Sequence, residues 1–297
     1  GVDINGTVTG GDITGNASGN GNGVNISGNI TDGVISGSAT GNGAGVDISG
    51  DSTLTNTTVN GNGVNGSGVD ISGNLTNSGN STVTGNASGN GNGVNISGNI
   101  TDGVISGSAT GNGSGVDISG DSTLTNTTVS GNGTDGAGVS ISGNLSNSGN
   151  STVTGNASGN GNGVNISGNI TDGVISGSAT GNGAGVDISG DSTLINTTVN
   201  GNGVNGSGVD ISGNLTNSGN STVTGNASGN GTGVDINGTV TGGDITGNAS
   251  GNGNGVNISG NITDGVISGG ATGNGSGVDI SGNSTLTNTT VSGNGTD

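Results

Sequence analysis

The chain has 297 residues, of which 76 are Gly, and its 19 acidic residues, all Asp, set a net charge of −19 because Lys, Arg and His are absent. Without cationic side chains nothing can neutralise phosphates, so no nucleic acid and no anionic membrane surface is expected as a partner. Without Cys or His there are no ligands for zinc, haem or iron–sulfur centres and no disulfide framework, so no cofactor is expected. No run approaches the roughly 18 apolar residues of a membrane span, and no basic segment opens a signal peptide.

Composition alone points to disorder, since only 24% of residues are hydrophobic and Phe, Tyr and Trp are absent. Residue order reverses that expectation. The motif Gly-Val-x-Ile recurs thirteen times, with its Val at Val2, Val24, Val46, Val69, Val94, Val116, Val139, Val164, Val186, Val209, Val234, Val256 and Val278. Successive spacings are 22, 23 or 25 residues, and a 70-residue period links Val24, Val94 and Val164. The opening Gly1-Val2-Asp3-Ile4-Asn5-Gly6-Thr7 returns at Gly233. Residues 1–297 are therefore read as one continuous repeat segment of a longer array, with no capping unit.

Taken in chain order, each unit keeps its apolar residues at period two. Val24-Asn25-Ile26 puts Val and Ile on one face and Asn on the other. Ile30 follows, flanked by Asn29 and Thr31, and Ile35 and Ala39 complete the unit. The next unit repeats the pattern with Val46, Ile48, Leu54 and Val59, and the one after with Val69, Ile71, Leu75, Val83 and Ala87. About three short strands per unit are predicted, separated by Gly-Asn-Gly or Asn-Ser-Gly turns. Helix is not expected where Gly, Asn, Ser and Thr dominate. The predicted fold class is all-β: a parallel β-helix, or solenoid, of about thirteen coils with three short strands per coil, each coil stacked about 4.8 Å above the last.

Equivalent positions then form columns. The residue after Gly-Val reads Asp3, Asn25, Asp47, Asp70, Asn95, Asp117 and Ser140 through the first half, where interspersed Asn dilutes the carboxylate repulsion and forms amide ladders. Asp47 and Asp51 form an acid–base pair on paper, of the kind polysaccharide hydrolases use. The pair recurs as Asp117/Asp121 and Asp187/Asp191, whereas an active site is one constellation, and no cation is present to tune it. No enzymatic activity is expected. Gly45-Val46-Asp47-Ile48 lacks the nine-residue calcium-roll pattern, so no specific metal site is expected. The strongest site-like signal is Asn-x-Ser/Thr, the acceptor triplet for N-linked sugar. A chain built from Gly, Asn, Ser and Thr produces many such triplets by composition. In Asn25-Ile26-Ser27 and Asn29-Ile30-Thr31, however, the middle residue points inward, so Asn and hydroxyl both face solvent.

Gly- and Asn-rich coils such as Gly93-Val94-Asn95-Ile96-Ser97-Gly98-Asn99-Ile100-Thr101 resemble the repeat region of two-partner-secreted haemagglutinin-type adhesins, above all the glycosylated exoprotein members with long near-identical repeats. The resemblance covers the whole chain and rests on repeat texture. It implies a right-handed β-helix, a secreted extracellular or bacterial cell-surface location, and export through an outer-membrane pore transporter. It implies attachment to host epithelial or mucosal glycans, with a bacterial surface structure as second partner. It also implies hexose transfer by a partner glycosyltransferase, with Asn25, Asn29, Asn95, Asn99, Asn165, Asn169, Asn257 and Asn261 as candidate acceptors. The amino-terminal secretion domain of that family is not in this sequence.

Three functions compete: an adhesin shaft that presents binding surface, a structural spacer with binding done elsewhere, and an ice-binding solenoid. The last needs Thr in nearly every coil; Thr7-Val8-Thr9 and Thr82-Val83-Thr84 supply it, but Gly33-Val34-Ile35-Ser36 does not.

Overall fold

The computed structural model describes residues 1–296. Among the described residues there are 37 strands and no helix, and they form a β-solenoid of about thirteen turns with three strands per turn. Each Gly-Val-x-Ile unit makes one turn. The chain divides into two compact units, Gly1–Val153 and Thr154–Asp297.

In the first unit the leading strands run from Val2–Ile4 through Val24–Ile26, Val46–Ile48, Val69–Ile71, Val94–Ile96 and Val116–Ile118 to Val139–Ile141. They pair in parallel with Val on Val and Ile on Ile. The third strands stack the same way, as where Thr82–Ala87 lies between Thr58–Gly63 and Val104–Ala109. In the first two turns the second and third strands merge into Val8–Ala17 and Ile30–Ala39. In the second unit the leading strands Val164–Ile166, Val186–Ile188, Val209–Ile211, Val234–Ile236, Val256–Ile258 and Val278–Ile280 keep the same register.

The predicted inward residues are the core. Val24, Ile26, Ile30, Ile35, Val46, Ile48, Leu54 and Val59 are completely buried. Period-two alternation sends these side chains into the interior, and parallel pairing stacks each on its copy in the next turn. Backbone groups are satisfied along the stack, so this narrow core suffices for a chain poor in apolar residues.

Turn length varies at the second strand. The 22-residue turn keeps only Ile100–Thr101, the 23-residue turn extends to Ser122–Thr125, and the 25-residue turn has Leu145–Ser148 plus a longer corner. The added residues bring small polar side chains inside: Ser122, Thr127, Asn147 and Ser151 are buried. Thr127 Oγ1 donates to Thr125 O at 2.9 Å, and Ser151 Oγ lies 3.0 Å from Leu124 O and 2.9 Å from Ser148 O. The Thr127 backbone N–H donates to Ser151 Oγ at 3.2 Å. The Thr127 and Ser151 hydroxyls thus replace backbone partners that the irregular corner lacks.

The corner entering the third strand is left-handed. In the first unit Asp32, Asn56, Asp102 and Asn126 take φ of 54°, 47°, 56° and 50°, and Gly79 and Gly149 take 65° and 66°. Only Asp, Asn and Gly fill this column, the residue types that tolerate that conformation. Within the third strand, a Cβ on Gly107 would overlap the Gly115 carbonyl, so that glycine lets two strands of the solenoid wall approach closely.

Candidate functional surface

Over the leading strands the outward column Asn25, Asp47, Asp70, Asn95, Asp117, Ser140 is half-buried, because each side chain packs between its copies above and below. A second set of Asn residues, from the Gly-Asn-Gly turn before the strand, bridges this column. Asn22 Nδ2 donates to Asn25 Oδ1 and Asp47 Oδ2, both at 2.8 Å, while Asn22 Oδ1 accepts the Ala44 N–H at 2.8 Å. Asn92 and Asn162 do the same for Asp117 at 3.1 Å and Asp187 at 2.9 Å. The one sequence signal of these bridging residues is that Asn stands directly before each Gly-Val-Asn-Ile, at Asn22, Asn92, Asn162 and Asn254, whereas Ala, Ser or Thr precedes the other Gly-Val-x-Ile motifs inside the chain.

The carboxylates respond to this packing. Burial raises Asp47, Asp117 and Asp187 above the ordinary carboxylate value, and the Asn22, Asn92 and Asn162 amides pull each back down. For Asp47 the neighbouring Asp70 adds to the rise. Asp210 sits between Asp187 and Asp235 in register, and burial followed by these two charges pushes it up to about 6.

The eight candidate acceptors separate into two classes. Asn25, Asn95, Asn165 and Asn257 belong to the half-buried column. Their carboxamides are engaged: Asn95 Nδ2 donates to Asp70 at 3.2 Å, Asn257 Nδ2 donates to Asp235 at 3.0 Å, and Asn165 Oδ1 accepts from Asn162 at 2.6 Å. Asn29, Asn99, Asn169 and Asn261 are exposed at the first corner. There the Oδ1 atoms accept the backbone N–H of Thr53, Thr123, Thr193 and Thr285 in the next turn at 2.8–2.9 Å. Asn74 and Asn214 share this corner and bond, to Asn99 at 3.2 Å and Thr239 at 3.0 Å.

Asp51, Asp121 and Asp191 also belong to this corner, where each Oδ1 accepts the N–H of Asn74, Asn144 or Asn214. The paired carboxylates Asp47 and Asp51 therefore lie in different columns, each bonded along the axis. Among the described residues, no group of three or more Asp side chains is placed to hold a metal ion. Set against known proteins, the chain matches no family model, no curated protein sequence and no solved structure.

Proposed function

We propose that the chain is the shaft of an extracellular bacterial adhesin that attaches to host cell-surface glycans by binding rather than catalysis. The observation that carries this reading is the recurrence, turn after turn, of exposed Asn and hydroxyl side chains held in register on a hydrogen-bonded frame. Such an array offers many weak, identical contacts whose avidity grows with their number. The sequence resemblance supplies the bacterial context: export through an outer-membrane pore and hexose transfer by a dedicated enzyme. Sugar transfer fits the corner residues Asn29, Asn99, Asn169 and Asn261 better than the strand residues, whose carboxamides are half-buried in the Asp ladder.

A structural spacer is the second reading. It is favoured by the inward use of polar capacity, since the corner Asn oxygens bond the next turn rather than project to a ligand. A glycan array probed with residues 1–297 and with the full parent protein separates the two. Capture by the segment itself supports the adhesin; capture by the parent alone assigns binding elsewhere and leaves a spacer.

A further inference from the structure

In the second unit a groove of about 480 Å³ runs across successive turns at the end of the third strands. One wall is Asn202, Asn226 and Asn248, the other Val204, Ser228 and Ser250, and the floor is the intervening Gly or Ala. The same groove recurs in the first unit at about 350 Å³, 140 residues earlier, on Asn62, Asn86, Val64 and Ser88. The larger falls within the roughly 300–1,000 Å³ typical of small-ligand sites.

The Asn wall is a ladder. Asn226 Nδ2 donates to Asn202 Oδ1 and Asn248 Nδ2 to Asn226 Oδ1, both at 3.1 Å, and Asn86 Nδ2 donates to Asn62 Oδ1 at 3.1 Å. Each carboxamide is thereby fixed before any ligand arrives. A middle member such as Asn226 spends one N–H and one lone pair on the ladder and keeps one of each. Those are the complementary donor and acceptor that a sugar hydroxyl uses.

The lining also selects by charge. Neither groove is lined by an ionisable residue, while the chain carries −19, so an anionic ligand is repelled and a cationic one finds no carboxylate here. An extended peptide has no strand edge to join, because the third strands are already paired along the axis. Val204, 37% exposed, presents apolar surface to the C–H face of a pyranose in a chain that has no aromatic ring.

We infer that this groove binds a neutral, linear oligosaccharide laid along the solenoid axis, stepping with the turns at about 4.8 Å, which is close to the rise of one sugar in an extended chain. The inference deepens the glycan-binding reading and rests on it. The probes are cello-, laminari- and maltohexaose, with hyaluronan and polysialic oligosaccharides as acidic controls, arrayed among other immobilised glycans. Residues 1–297 are compared with the double variants V64D/V204D and N86A/N226A, whose side chains are exposed or half-exposed. The expected result is capture of neutral linear glycans and not acidic ones, with both variants retaining the wild-type β-sheet spectrum and losing roughly tenfold or more in binding. Should the Val pair disturb folding, the Asn pair decides. Neutral-glycan capture that survives in the folded variants overturns the groove and leaves the glycan reading standing, as does capture of acidic glycans alone. Failure to capture any glycan ends both.

Discussion

At the residue scale, two side chains in neighbouring positions make opposite demands. Ile96 is completely buried and stacks on Ile71 and Ile118, whereas Ser97 is exposed. Ile96→Asp places an unpaired carboxylate between turns and is expected to cost on the order of 3–5 kcal/mol, while Ser97→Ala stays within about 0.5 kcal/mol. Thermal or urea unfolding of the two variants reads the difference. Asp210 carries a second prediction. Its pKa is raised to about 6, so its proton is held more tightly folded than unfolded. The stability this gives is complete below the unfolded value near 3.9 and is lost as pH rises through about 6. Asp210→Asn is therefore expected to stabilise the chain at pH 7–8 by about 1 kcal/mol, discounted for its partial exposure, and to confer little at pH 4. Melting temperatures across that range test it; an advantage that is constant with pH contradicts the charge ladder.

At the element scale, strand stacking depends on close approach as much as on apolar columns. Gly107 lies where a Cβ would meet the Gly115 carbonyl, whereas a Cβ on Gly6 meets nothing within 4 Å. Gly107→Ala is expected to cost about 1–3 kcal/mol, by analogy with overpacking, and Gly6→Ala close to nothing. Equal melting of the two would contradict the packing of the third strand on the leading strand. The strands themselves were legible in the sequence, because period-two alternation at Val24, Ile26 and Ile30 and the recurrence of Gly-Val-x-Ile leave one arrangement that buries these columns, although alternation also leaves Val34 and Val104 exposed on the outer face. The corners were not. Thr127 and Ser151 read as surface residues by type and lie inside, because their hydrogen bonds to the Ile100 and Leu124 carbonyls of the preceding turns are invisible to a pattern based on polarity. The site was half legible. Alternation correctly turned Asn25 outward, but it could not say that Asn22 and Asp47 would close over it while Asn29, four residues later, stayed exposed.

At the scale of the whole molecule, the account rests on one property: residues more than twenty apart in sequence become axial neighbours, in the same column, throughout each unit. The ladders of Asp and Asn, the left-handed corners and the groove all follow from that register. The chain has no cysteine, so nitroxide labels at Ser27→Cys and Ser142→Cys are unique. Both serines are exposed and follow the leading strand in turns five apart within the first unit. Pulsed electron–electron double resonance on that doubly labelled chain should give a narrow distance distribution centred at about 24 Å, five coil spacings, before allowance for the label arms. A broad distribution extending well beyond that distance, as an unfolded or differently stacked chain of 115 intervening steps would give, contradicts the solenoid and every surface built on it.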